Sequence, residues 1–289
     1  MAKLDALPWA GGVAFVSCGV RLGVRVDDAA ILDRLPPYLP PVREPAPTPE
    51  VDHLFSLCTR AAGARQRPRL FEGPRLVRRA RDLDVAMQLD LLRSFLEVRV
   101  ATNAPTRIFV HAGVVEWRGR AIVFPGRSRS GKTTLTTALL RAGAKYYSDE
   151  YAVLDAFGRV YPWARPLRIR RPGRLPRSYP VESFGARARQ RSLPVGLIVV
   201  TRHRASGRWQ PRPLSPGQAL LALLRNTHVT RARPDLTISV LRRAVRGARA
   251  LRSERGEAEQ VTVSLLSNQS VEEERRQTRA PRVAGRRRG

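Results

Sequence analysis

Eight consecutive residues, Gly126-Arg127-Ser128-Arg129-Ser130-Gly131-Lys132-Thr133, match the pattern GxxxxGK[ST]. The glycines let successive backbone N–H groups curl around a phosphate, and a helix starting here points its positive end at that anion. The Lys132 ammonium reaches the outer phosphates, and the Thr133 hydroxyl can sit on Mg²⁺. With Thr134 in the first helical turn, Gly126 to Thr134 form the candidate ATP-binding set. Lysine is rare in this chain: Lys3, Lys132 and Lys145 stand against 50 arginines, which makes a chance match improbable. The bland alternative is a Gly/Ser turn before a helix.

A phosphate loop does not name a reaction. ATPases of the transporter or helicase type carry an acid after four apolar residues on a distant strand. The best such strand here, Gly196 to Val200, runs into Thr201-Arg202-His203 with no acid at its end. The nearest acids are Asp149 and Glu150, seventeen and eighteen residues after Lys132. A helix and a strand returning to the sheet would bring this pair beside the loop. There it could hold Mg²⁺ and accept a proton from an attacking hydroxyl; otherwise it is two exposed turn residues. His111, fifteen residues before Gly126, lies in a strand-like run.

His111-Ala112-Gly113-Val114-Val115, the loop, and Ser148-Asp149-Glu150 together resemble the catalytic domain of HPr kinase/phosphorylase. That domain is similar in fold to the nucleotide-binding part of phosphoenolpyruvate carboxykinase. The resemblance is strong from His111 to about Leu154 and weaker from Pro166 to Ser267. It implies an active-site role for His111, Lys132 on the phosphates, Thr133 and Asp149 as Mg²⁺ ligands, and Glu150 as proton acceptor. Two departures stand out. The family has Asp where this chain has Glu150, which leaves open which acid is the base. The family's Leu-Glu-Ile-Arg-Gly stretch corresponds at best to Leu167-Arg168-Ile169-Arg170-Arg171, with Arg170 on the family's Arg and Arg168 in place of its Glu. Because that stretch also serves the phosphorylase activity, the expectation is a kinase only. The chain looks closer to divergent HPr-kinase-like serine kinases, some of which modify peptides such as lasso-peptide precursors.

The elements that must position these residues read as an α/β protein. Val13 to Val16 and the alternating Leu22, Val24 and Val26 are strand-like, and Asp27-Asp28 can cap a short helix from Ala29 to Leu35. Seven prolines between Pro36 and Pro49 mark an extended connection. The stretch from Val51 to Asp82 is ambiguous. Leu83 to Val98 has helical spacing, with Val85, Leu89, Leu92 and Phe95 on one side. Strands are expected at Arg107–His111, Gly113–Trp117, Ala121–Phe124, Lys145–Tyr147, Ala152–Leu154 and Val195–Val200. Helices are expected at Thr133–Arg141, ended by Gly143, at Gly217–Arg225 and at Thr237–Glu254. The pattern gives a small N-terminal α+β module over 1–80, a P-loop kinase domain over 81–269 and a disordered basic tail over 270–289, which holds seven Arg and three Glu.

Composition bounds the rest. The 289 residues are 43% hydrophobic, enough for a core, and carry a net charge of +29. Nucleic acid is the obvious partner for so basic a chain, but the charge is spread throughout and only 6% of residues are aromatic, so stacking platforms are scarce. Nine arginines lie between Arg165 and Arg191 with one acid, Glu182. They are either solvated surface or an electropositive rim that attracts an acidic peptide or protein substrate. Cys18 and Cys58 form no disulfide framework or CxxC metal motif, and a reduced, cytoplasmic setting is the default. No apolar run is long enough for a transmembrane helix. The uncharged run from Ala6 to Val20 reads better as a turn into a strand than as a signal peptide. His53, His203 and His228 fall in no ligand spacing. Three functions remain open: an ATP-dependent kinase acting on a serine hydroxyl, a nucleotide-binding regulatory protein without phosphotransfer, and a nucleic-acid-dependent ATPase. A homo-oligomer is also left open.

Overall fold

The computed structural model describes residues 5–59, 69–79, 84–127, 130–169, 177–187, 191–227 and 232–267. The expected tail over 270–289 lies outside them. Within them the chain is mixed α/β and divides into two compact units, 1–108 and 109–289.

In the first unit, β1 (Gly11–Ser17) and β2 (Val20–Val26) form a hairpin. Its two-residue turn, Cys18-Gly19, has φ of 49° and 82°, the left-handed pair that matches strand twist. Asp28 caps α1 (Ala29–Leu32) by accepting from the Ala30 N–H. This helix is shorter than expected, because a 3₁₀ turn at Pro36–Tyr38 follows. β3 (Glu44–Pro45) pairs with β1, and β4 (His53–Cys58) joins β2 in parallel. The ambiguous stretch resolves into β4 and the hairpin of β5 (Arg69–Glu72) with β6 (Arg75–Arg79), giving the order β3-β1-β2-β4-β5-β6.

Helix α2 (Val85–Asn103), capped by Asp84, packs on β2 and β5. It buries Leu89, Leu92, Leu96 and Val100, an i, i+3, i+7, i+11 stripe; Leu96 takes the core position expected of Phe95, which is half-buried. Because α2 packs on this sheet, the unit extends to residue 108, whereas the sequence pattern puts the join near 80.

The first strands of the second unit are β7 (Ile108–Trp117), which starts at the boundary residue and stands as one strand in place of the expected two, and β8 (Arg120–Pro125). They form a hairpin on Arg118-Gly119, again with two positive φ values. After the loop that follows β8 come α3 (Lys132–Arg141), β9 (Lys145–Ser148), β10 (Tyr151–Leu154), β11 (Arg159–Tyr161), and the small hairpin of β12 (Leu167–Ile169) and β13 (Arg177–Tyr179). β14 (Leu193–His203) returns to the sheet parallel to β8. Then follow β15 (Arg212–Pro213), α4 (Pro216–Leu224) with a Ser215/Gln218 capping box, α5 (Pro234–Val245), β16 (Arg249–Arg255), and a helical run α6 over 259–267.

The expected helix from Thr237 to Glu254 therefore ends nine residues early. Gly247, at φ 82°, turns the chain, and residues 249–255 run parallel to β14 instead. The main sheet has the order β11-β10-β7-β8-β14-β16-β15. β9 also pairs with β7, and β11 with β14 as well as β10, so five strands close on themselves. Along β8, Ile122 and Phe124 join the core formed with Leu135, Leu139, Val261 and Leu265, while Val123 faces Leu223 and Ala244. A strand buried on both faces must be apolar throughout, as Ala121 to Phe124 are. The loop leaves from its C-terminal end.

Candidate active site

Among the expected site residues that the structure describes, His111, Gly126, Lys132, Thr133, Asp149 and Glu150 converge at the end of β8. Ser128 and Arg129 lie outside the described residues. Arg127 and Thr134 are exposed, and Ser130 donates its N–H to the Arg127 carbonyl at 3.2 Å.

The loop needs both of its glycines. A Cβ at Gly126 would lie 2.4 Å from Ser130 Oγ. Gly131 has φ 86°, and a Cβ there would lie 2.5 Å from an Arg255 nitrogen. Lys132 is buried, and its Nζ donates to the carbonyls of Gly126 at 2.8 Å and Arg127 at 3.0 Å. Burial pushes this ammonium's pKa down, while the charges of Glu150 and Asp149 pull it up.

His111 sits on β7, opposite the loop. Its Nδ1 is 2.6 Å from the Gly126 carbonyl oxygen, a hydrogen bond in the tautomer that carries the proton on Nδ1. Lys132 Nζ lies 3.1 Å from the same nitrogen. His111 Nε2 faces Glu150 Oε2 at 3.1 Å, a distance at which one proton bridges the pair. Two residues further along β7, a Cβ at Gly113 would fall 2.0 Å from the Phe124 ring, so only glycine lets β8 lie this close.

The acids stand at the turn between β9 and β10. Ser148 Oγ accepts the N–H groups of Glu150 and Tyr151, and the Glu150 carbonyl accepts from Ala112 of β7. This turn points the two neighbours into different surroundings. Asp149 is 5% exposed; Thr133 Oγ1 donates to one of its oxygens and Tyr146 OH to the other, each at 3.1 Å. Burial, reinforced by the Glu150 charge, raises its pKa to about 6 against those two hydrogen bonds and Lys132. The Glu150 side chain is 47% exposed and lies at the mouth.

The donor set suits Mg²⁺, which binds through one or two carboxylates completed by nucleotide phosphates rather than in an all-protein cage. Asp149 and Thr133 supply such a half-set. Among the described residues no group of three or more His, Cys, Asp or Glu is arranged around a single point.

Sequence reasoning missed three residues. Tyr146 reads in the sequence only as part of a strand; its hydroxyl accepts from the Arg165 backbone and holds Asp149. Thr201, at the end of β14, lines the pocket formed with Ser130, Gly131 and Lys132; among the described residues its buried hydroxyl has no hydrogen-bond partner. Arg255 reaches the loop from β16, donating to the Gly131 carbonyl at 3.0 Å. Its signal is the alternating pattern of Arg249 to Arg255, which the helical expectation overrides.

The basic stretch is not uniform. Arg165 is 6% exposed and so no part of a rim, whereas Arg177, Arg187 and Arg191 are exposed. Leu167 packs in the core beneath α3, fixing Arg168 on β12; Arg170, Arg171, Arg174 and Arg189 lie outside the described residues. Among the described residues no helix is long and apolar enough to cross a membrane. No protein-family model matches the chain, and no curated protein matches it significantly.

Proposed function

We propose that this protein is an ATP-dependent kinase of the HPr kinase type, transferring the γ-phosphate to a serine hydroxyl of an acidic peptide or protein. The observation that carries the reading is the convergence of Lys132, His111, Thr133 and the Asp149-Glu150 pair on one phosphate loop. In this reading Lys132 exchanges its two loop carbonyls for phosphate oxygens. Thr133 and Asp149 hold Mg²⁺, which supplies charge neutralisation on the phosphates. Glu150 is the base: it is exposed enough to meet an acceptor, whereas both Asp149 oxygens are already engaged. The acceptor oxygen bonds to the γ-phosphorus as its proton passes to Glu150. The bond from phosphorus to the β,γ-bridging oxygen breaks, and ADP leaves. His111, sharing a proton with Glu150, orients that carboxylate and connects it to the loop carbonyl. The exposed Arg177, Arg187 and Arg191 favour an acidic acceptor.

The test is incubation with Mg·ATP and a panel of serine-containing acidic peptides, read by mass spectrometry, with Lys132→Ala as control. Phosphopeptide formed by wild type and not by the variant supports the reading. Tight Mg·ATP binding with no transfer to any acceptor would replace it with a nucleotide-dependent regulatory protein.

A further inference from the structure

Strands β8, β14 and β16 run parallel, so their C-terminal ends share one edge of the sheet. β8 delivers the phosphate loop there, and β16 delivers Arg255. This arginine is 1% exposed. Its Nη2 donates to the Gly131 carbonyl and its Nη1 to the Gly256 carbonyl, each at 3.0 Å. Its own carbonyl accepts from the Arg204 N–H at 2.9 Å, so backbone as well as side chain is fixed. Among the described residues it has no ion pair, and its Nε has no hydrogen-bond partner. A buried guanidinium is normally matched by a carboxylate. This one is matched only by carbonyl oxygens, beside a loop built for anions.

The Gly131 carbonyl also accepts the first hydrogen bond of α3, from Leu135 at 3.0 Å. In a trans peptide the carbonyl and the following N–H point in opposite directions. Holding the Gly131 oxygen toward the sheet therefore sets the direction of the Lys132 N–H.

We infer that Arg255 is a positioning residue of the phosphate loop: its fork fixes the Gly131–Lys132 peptide from behind, and its charge is countered by the polyphosphate of the nucleotide. The inference rests on the nucleotide-binding reading above. Burial pushes the guanidinium pKa down, with only partial compensation from Glu257 and Glu259, as expected for a cation lacking a resident counter-ion.

Two substitutions separate the parts of this role. Arg255→Gln keeps a donor and removes the charge; Arg255→Lys keeps the charge and removes the fork. Titration calorimetry with Mg·ATP should show affinity about tenfold weaker for Arg255→Gln, the usual worth of a hydrogen bond to a charged group, and partial recovery for Arg255→Lys. Turnover at saturating nucleotide should fall less than affinity. Folded variants that bind Mg·ATP as wild type does would overturn the inference. Failure of the underlying reading looks different: wild type itself would not bind Mg·ATP, or Lys132→Ala would bind it unchanged. If neither Arg255 variant folds, hydrogen exchange on wild type decides. Mg·ADP must slow the amides of 255–257 together with those of 130–133, and no slowing at 255–257 overturns the proposal.

Discussion

The two sides of the loop that follows β8 are built from different chemistry. The front, from β7 and the β9–β10 turn, brings His111, Asp149 and Glu150, all titratable and hydrogen-bonded to one another or to the loop. The back, from β14 and β16, brings Thr201 and Arg255, neither of which titrates near neutral pH. The contrast repeats at single-residue scale in the front. Asp149 and Glu150 are adjacent in sequence, yet one is buried between two hydroxyls and the other stands half in solvent. An identical functional group is thus set in two different surroundings, which in the proposed reading suit one carboxylate to holding Mg²⁺ and the other to accepting a proton. In the proposed reading the front groups act on the reacting atoms and the back groups act through the loop's shape.

Lys132→Ala is the severest break in this division, because Lys132 belongs to both sides: it springs from the loop that Arg255 holds and ends beside His111. Transfer should become undetectable while the far-ultraviolet spectrum stays unchanged. Retained transfer would mean that the phosphates lie elsewhere. Next in size, Glu150→Gln removes proton acceptance at nearly constant volume. The rate should fall about 10²–10⁴-fold, the usual worth of a general base, with little change in Mg·ATP affinity. If Asp149→Asn instead abolished proton transfer and Glu150→Gln were silent, the roles assigned to the two acids would be exchanged.

The same division explains what is legible in the sequence. The front is local: His111, Gly126, Lys132 and the acid pair lie within forty residues, joined by short strands, one helix and the loop itself. The glycines at 126 and 131 are legible because the GxxxxGK[ST] pattern has a fixed spacing. The back is not local. Arg255 meets Gly131 across 124 positions, through a parallel pairing that no short-range pattern encodes. Its strand, with four arginines or glutamates in seven residues, resembles the charged face of a helix that Gly247 in fact terminates. Tyr146 is legible as strand and illegible as a hydrogen-bond donor to Asp149: a buried tyrosine reads as core until the position of its hydroxyl partner is known. The N-terminal sheet is half legible for a related reason. Its hairpin over 11–26 alternates, whereas β4 to β6 combine parallel and antiparallel pairings.

Asp149→Asn sharpens the contrast between the acids through stability. The folded protein holds the Asp149 proton up to about pH 6, whereas the unfolded chain loses it near 3.8. Between those values the folded state binds more protons, so stability falls as pH rises, and the full penalty is present above pH 6. A gap of that size between folded and unfolded chain corresponds to about 3 kcal/mol. Asparagine cannot ionise, so the variant should gain stability relative to wild type between pH 4 and pH 7 while losing Mg²⁺-dependent turnover. Chemical denaturation at both pH values measures the difference. An equal dependence on pH in wild type and variant would mean that Asp149 is ionised at little cost.

The smallest expected effect isolates Tyr146. Its hydroxyl donates to Asp149 Oδ1 and accepts from the Arg165 backbone, in a site closed to solvent. A donor to a carboxylate stabilises the ionised form, so this bond holds the Asp149 pKa below what burial alone would impose. Tyr146→Phe keeps the ring and its packing and removes the donor. A hydrogen bond of about 1 kcal/mol is worth close to one pH unit of titration, so Asp149 should titrate at about pH 7 in the variant. If ionised Asp149 is required for turnover, the acid limb of the rate profile moves up by the same amount. The variant then works at close to the wild-type rate at pH 8 and several-fold slower at pH 6. A loss independent of pH would mean that Tyr146 only packs, and an unmoved acid limb would mean that the titrating group is not Asp149. Because the backbone N–H of Arg165 also loses its acceptor, a modest fall in melting temperature accompanies either result. The pH profile, rather than the stability, therefore carries the test.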